Sequence, residues 1–165
     1  MNIPKPDLVA SFEYNGHVDV EWYDVTDKED LPDLPWQQVY AIGNLEGLVP
    51  VVLYAHTIRP NLPGGTTELG ETVEQTLQRE IQEELNCEVI DWQPLGYQKN
   101  TRSGTSGCMY QLRVYAMLRK IDEFQKDPGG SVIGYKTILF GNLNNEINYG
   151  KTGERLMSLS SKYFI

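Results

Sequence analysis

Glu80, Glu83 and Glu84 stand within the run Arg79-Glu80-Ile81-Gln82-Glu83-Glu84. Residues three and four apart share one side of a helix, so the three carboxylates form one patch. Glu80 with Glu84 is a like-charge pair that weakens an isolated helix. No Lys is interleaved, and Arg79 projects about 100° away from Glu80 at about 3.6 residues per turn. A hard cation resolves the repulsion, because Mg²⁺ takes oxygen ligands and is commonly held by a few carboxylates together with substrate phosphates. Most Glu-rich helix faces are solvated surface, but the apolar positions argue otherwise here. Val73, Leu77, Ile81 and Leu85 recur every four residues as a buried stripe. Glu84 projects between Val73 and Leu77, inside that stripe. A carboxylate on the core side is costly unless it is paired or coordinates metal.

The elements that position these carboxylates are legible on both sides. Upstream, Pro63-Gly64-Gly65-Thr66-Thr67-Glu68-Leu69-Gly70-Glu71 is a glycine-rich turn, with glycines available for backbone conformations that other residues avoid. Thr72 followed three residues later by Gln75 is a capping-box pattern that opens the helix. Downstream, Asn86 is the commonest substitute for Gly in the left-handed conformation that ends a helix.

Gly65, five residues, Glu71, seven residues, Arg79-Glu80, the aliphatic Ile81, one residue, Glu83-Glu84, one residue, Asn86 and apolar Cys87 resembles the Nudix box, G-x(5)-E-x(7)-R-E-U-x-E-E-x-G-U with U apolar. Every fixed position matches except Asn86, where the family usually has Gly. The resemblance is specific over residues 63 to 87 and only general in the flanks.

Composition sets the outer limits. The chain has 165 residues, with 14 basic against 23 acidic and a formal charge of −9, enough for one domain with a real core. The pI of about 4.7 argues against a nucleic-acid or membrane-surface binder, which needs basic patches. Cys87 and Cys108 lie far apart without a C-x-x-C pair, so neither a zinc site nor a disulfide framework is indicated, and both read as small buried apolar residues. No signal layout and no membrane-length apolar run is present, so a soluble cytoplasmic protein is the simplest reading.

Along the chain, residues 10–23 read as a hairpin about Asn15-Gly16. Residues 24–35 read as an exposed acidic connector, and residues 1 to 35 either extend the sheet or form a homodimer contact. Residues 36–42 and 49–56 read as strands separated by a turn around Gly43, Asn44 and Gly47. Arg59 is either a phosphate contact, for which its planar fork is suited, or a surface arginine. Val89 to Leu95 is strand-like, and residues 99–106 read as a polar loop whose Lys99 and Arg102 could close over a diphosphate. Residues 108–119 alternate, with Tyr110, Leu112, Val114, Ala116 and Leu118 on one face and Arg113 and Tyr115 on the other. Those two line a pocket if that face is the cleft, and otherwise face solvent. Residues 123–130 read as a loop, 132–140 as a strand and 152–163 as a terminal amphipathic helix. The order gives an α+β layer arrangement with a mixed sheet between helices.

The resemblance implies a Nudix-like α-β-α sandwich with the box as loop-helix-loop. It implies a divalent cation, Mg²⁺ or Mn²⁺, held by Glu80, Glu83, Glu84 and the backbone carbonyl of Gly64, with Glu71 and Arg79 supporting the carboxylates. It implies hydrolysis of a diphosphate linkage in a small nucleoside diphosphate derivative. The general base is Glu83 or Glu80, with Glu123 and Glu146 as the later-loop alternatives. Two other readings stay open: a catalytically idle Nudix-fold binding module, and a diphosphate-handling isomerase, whose role Cys87 and Cys108 fit poorly. The loops around residues 99–106 and 123–130 are left to choose the substrate.

Overall fold

The computed structural model describes residues 3–128 and 130–165, so Gly129 of the loop expected at 123–130 lies outside them. The hairpin comes first. Asn15 and Gly16 both have positive φ, 52° and 111°, and join strand β1 (Leu8–Glu13) to β2 (His17–Asp24). After the acidic connector, β3 (Trp36–Leu45) runs through Gly43 and Asn44 instead of stopping at Ile42. The turn falls at Glu46 and Gly47, both at positive φ, and hands the chain to β4 (Val49–Tyr54). Two short strands follow that the sequence pattern does not reveal, β5 (Thr57–Asn61) and β6 (Gly64–Thr66).

Helix α1 (Val73–Leu85) begins at Thr72 with both capping-box bonds formed: the Gln75 amide donates to Thr72 Oγ1 at 3.2 Å and the Thr72 amide to Gln75 Oε1 at 2.9 Å. It ends at Asn86 with φ 51° and ψ 43°. Strands β7 (Cys87–Arg102) and β8 (Cys108–Lys120) are long, and β9 (Val132–Ile138) is followed by two helices. The first, α2 (Leu143–Ile147), is too short to show a periodicity. The second, α3 (Gly150–Ser160), gives way to a 3₁₀ turn at Ser161–Tyr163.

Six strands form one mixed sheet in the order β1-β2-β7-β8-β3-β6, in which β3 and β8 are parallel and the other pairs antiparallel. Of the two roles open to residues 1 to 35, the structure shows the first: the hairpin extends the sheet by pairing with β7. A second sheet has the order β5-β4-β9. Pro60 lies in its edge strand β5, where the missing N–H breaks no ladder.

The alternation of β3 and β8 divides the core between the two faces. Val39, Ala41, Leu112, Val114 and Ala116 pack on Leu77, Ile81 and Leu85 of α1. On the opposite face, Ile42 and Tyr115 pack with Leu143 and Ile147 of α2 and Leu156 of α3. Each Val, Leu or Ile among them withdrawn from water contributes roughly 1.5–3 kcal/mol. Cys87 is buried as expected, whereas Cys108 is exposed at the start of β8. Among the described residues, no helix is long and apolar enough to cross a membrane.

Candidate diphosphate site

The site is built where the edge of the large sheet meets α1. Ladder bonds run from the Ala41 amide to the Pro63 carbonyl at 2.9 Å and from the Thr67 amide to the Gln37 carbonyl at 3.0 Å. In an antiparallel ladder, alternate residues turn both backbone groups toward the partner strand or away from it. Gly64 falls on an outward position, and its amide donates to Glu84 Oε2 at 2.9 Å. Its carbonyl therefore turns off the ladder in the same sense. A Cβ at Gly64, where φ is 141°, would strike the Val39 carbonyl and Tyr40 backbone, and one at Gly65 would overlap the Glu80 carboxylate. Two glycines are thus what let the edge backbone touch the helix carboxylates.

Glu84 lies inside the apolar stripe, as its helical position requires, with 6% of its surface exposed. Burial pushes its pKa up to about 8, opposed by the Gly64 amide and reinforced by the charges of Glu80, Asp127 and Glu83. Glu80, 9% exposed, is also raised by burial, and Arg79 pulls it back. Arg79 does not stay on its own side of the helix, because its long side chain swings across three carboxylates. Its Nε and Nη2 donate to Glu71 at 2.7 and 3.0 Å, and its Nη1 donates to Glu80 at 2.8 Å and Glu83 at 3.4 Å. Nη2 also holds the Thr66 carbonyl at 2.9 Å. Glu71, which accepts from Thr76 and from the Glu68 amide as well, is held down at about 2, chiefly by Arg79. With Nη1 shared between Glu80 and Glu83, no three acidic, imidazole or thiol side chains among the described residues converge as a ready metal cluster.

The candidate substrate contacts divide. Lys99 and Arg102 are on strand β7, not on a loop, and the turn that follows spans only 103–107. Lys99 pairs with Glu21 at 3.3 Å, and Arg102 donates to the hairpin carbonyls of Tyr14 and Asn15 at 2.5 and 2.6 Å. β7 also stands three places from β6 in the sheet, so neither residue is brought to the box. Arg59 lies on β5; with the Asn148 amide oriented to satisfy its neighbours, that oxygen accepts from Arg59 Nη1 at 2.8 Å and Nη2 at 3.2 Å. Arg113 and Tyr115 face the α2–α3 layer rather than solvent. Tyr115 stacks on Tyr163 with centroids 4.0 Å apart, while Arg113 lies between the rings of Tyr40 and Tyr149.

The later-loop carboxylates also sort themselves. Glu123 is exposed and bound to Lys120, and Glu146 is bound to Lys136. The acidic residue that the loop brings beside Glu80 and Glu84 is instead Asp127, 4% exposed. Its sequence context carries no signal of a site, because the Asp-Pro-Gly-Gly run reads simply as a turn.

A family model of the NUDIX domain matches residues 48–152. The chain belongs to the Nudix family. Its fold is similar to a Bacillus subtilis pyrophosphohydrolase, BsRppH in its E68A mutant, with TM-score 0.71 and 20% identity over 93% of this chain and 97% of that one. A NUDIX hydrolase from Nitrosomonas europaea aligns with TM-score 0.61 and 14% identity, covering 79% and 90% of the two chains. An ADP compounds hydrolase aligns with TM-score 0.57 and 14% identity over 99% and 96%. No curated protein sequence matches the chain.

Proposed function

We propose that this Nudix protein is a divalent-cation-dependent hydrolase that cleaves a diphosphate linkage in a small nucleoside diphosphate derivative. The observation that carries the reading is Glu84: a carboxylate buried in the core side of α1, with one amide donor and three acidic neighbours. Ionised, a carboxylate so buried calls for a cation. The donor set fits a hard one, since Glu80, Glu83, Glu84 and the outward carbonyl of Gly64 offer oxygen alone. Mg²⁺ suits it, and Mn²⁺ is the alternative. When bound, the cation supplies charge neutralisation at the attacked phosphorus and Lewis-acid activation of water.

The chain's own residues do the rest. Glu83 or Glu80 takes the proton of the attacking water, both being carboxylates within the patch. Arg79, anchored by Glu71 and the Thr66 carbonyl, keeps the glycine strand against the helix and holds Glu80 and Glu83 through Nη1, a hold with which a bound cation would compete. The names of two structural neighbours, a pyrophosphohydrolase and an ADP compounds hydrolase, support the diphosphate chemistry. The Arg79 bridge also favours a second reading, a Nudix-fold binding module whose carboxylates stay paired with Arg79.

The test is a panel of nucleoside triphosphates, dinucleoside polyphosphates, nucleotide sugars and ADP-ribose with Mg²⁺, scored for phosphorylated products. Turnover that is abolished by chelator and by Glu84→Gln is expected. Binding of these compounds without any product would support the second reading and overturn the first.

A further inference from the structure

A cleft of about 720 Å³ lies between the outer face of α1 and the loop at 125–128, a size within the roughly 300–1,000 Å³ of small-molecule sites. It adjoins the box directly. Arg79 and Glu83 line it, and Asp127, which follows Lys126 in the loop wall, stands beside Glu80 and Glu84. The loop is also held at its distance from the helix, because Asn86 Nδ2 donates to the Glu123 carbonyl at 2.8 Å. A group attached to a phosphate at the carboxylate patch therefore has the cleft open to it past Glu83.

Charge and hydrogen bonding say what that group is. Arg79 has five N–H groups, and they are already directed to Glu71, Glu80, Glu83 and the Thr66 carbonyl. The cation left over is Lys126, exposed and without a hydrogen bond or ion pair among the described residues. It shares the lining with the carboxylates of Glu74 and Glu83, so a further phosphate gains little there. None of the lining side chains is aromatic, so a nucleobase finds no ring to stack on.

What the cleft does offer is carboxamides. Gln75 and Gln78 commit Oε1 to the amides of Thr72 and Val89, at 2.9 and 3.2 Å, and keep their NH₂ groups. Asn86 commits Nδ2 and keeps Oδ1. Gln82 and Gln125 are exposed and unbonded among the described residues, so both ends of each remain. Donors and acceptors interspersed in this way match a group whose oxygens each donate and accept, which is a hydroxyl.

We infer that this cleft binds a hydroxyl-bearing sugar joined to the substrate diphosphate, with Gln82, Gln125 and Lys126 as its contacts. Where the diphosphate sits rests on the hydrolase reading. A nucleoside diphosphate sugar is then preferred to a nucleoside triphosphate, whose terminal phosphate meets Glu74 and Glu83 instead of partners.

Calorimetry on the full chain with Mg²⁺ present tests this. The probes are ADP-ribose and ATP in which a methylene replaces the oxygen between the α and β phosphates, so binding is read with that linkage intact. Gln82 and Gln125 are surface residues, and the double variant Gln82→Ala, Gln125→Ala is expected to fold. It lowers the ratio of affinity for the ADP-ribose analogue over the ATP analogue by about tenfold, the loss of two hydrogen bonds. Lys126→Ala lowers the same ratio by about threefold or more. An unchanged ratio in either variant overturns the proposal, and so does a wild type that fails to bind the ADP-ribose analogue or binds the ATP analogue more tightly. A ratio that rises in Lys126→Ala makes the cleft a phosphate site and overturns it as well. If the wild type cleaves neither ADP-ribose nor ATP with Mg²⁺, the hydrolase reading fails, while the titrations still decide the cleft.

Discussion

The amide of Gly64 and the Oε2 atom of Glu84, twenty residues apart, meet at 2.9 Å, and this bond ties the edge strand to the buried face of α1. A carboxamide at 84 can accept the same bond without carrying charge. In the wild type without divalent cations, the folded pKa of about 8 lies above the ordinary 4.5. The folded state therefore holds the extra proton between those values, and stability falls as pH rises from 4.5 to 8. Glu84→Gln is expected to melt no lower than the wild type in chelator above pH 8, and to lose more than the roughly 10–100-fold in activity typical of groups that merely support metal ligands. Melting curves and Mg²⁺-dependent turnover check both halves; a variant that melts well below the wild type would mean Glu84 is a structural partner first.

Gly65→Ala places a methyl where the Glu80 carboxylate lies. The carboxylate end is the more mobile of the two, so Glu80 yields before the strand does. Strain of about 1–3 kcal/mol is expected, together with weaker Mg²⁺ binding measured by calorimetry. Unaltered Mg²⁺ affinity in a folded Gly65→Ala protein would remove Glu80 from the proposed ligand set.

The box helix was legible because its signals are local: capping at Thr72 and Gln75, a four-residue apolar repeat, and an Asn able to adopt φ 51° at its end. The hairpin at Asn15-Gly16 and the alternation of β8 are of the same kind. What stayed hidden depends on contacts distant in sequence. β5 and β6 are short, contain Pro60 or two glycines, and become strands only because β4 and β3 lie beside them. Lys99 and Arg102 read as loop residues because the segment is polar, yet β7 continues through them to meet β2 and the hairpin carbonyls. Asp127 carries no periodic signal, and only the packing of its loop sets it beside Glu80 and Glu84.

Glu71 gives a pH dependence of the opposite sign from Glu84. Arg79 holds its pKa at about 2, below the ordinary 4.5, so the unfolded chain binds this proton first. The Glu71 contribution to stability is complete above 4.5 and is lost as pH falls from there toward 2. The difference in melting temperature between the wild type and Glu71→Gln is expected to be constant at neutral pH and to close between those limits. A difference that persists at pH 2 would show that Glu71 acts through packing or the Thr76 hydrogen bond rather than through its charge.

Asn86 does more than stand in for glycine at the end of α1. Its backbone adopts φ 51° and ψ 43°, a conformation that costs most non-glycine residues roughly 1–2 kcal/mol, and its Nδ2 donates to the Glu123 carbonyl at 2.8 Å. Its carbonyl also accepts from the Ile121 amide at 3.0 Å, so the helix end anchors the start of the loop that carries Asp127. Asn86→Ala keeps the backbone demand and loses the side-chain bond, and is expected to cost about 1–3 kcal/mol. Asn86→Gly relieves the backbone while losing the same bond, so it is expected to be the more stable variant of the two. Both should raise hydrogen exchange between Ile121 and Val132, and through Asp127 both should weaken Mg²⁺ binding beside Glu80 and Glu84. Equal stability of the two variants would refute the left-handed cap as the reason for Asn here, and unchanged exchange would show that the loop is held by β8 and β9 alone.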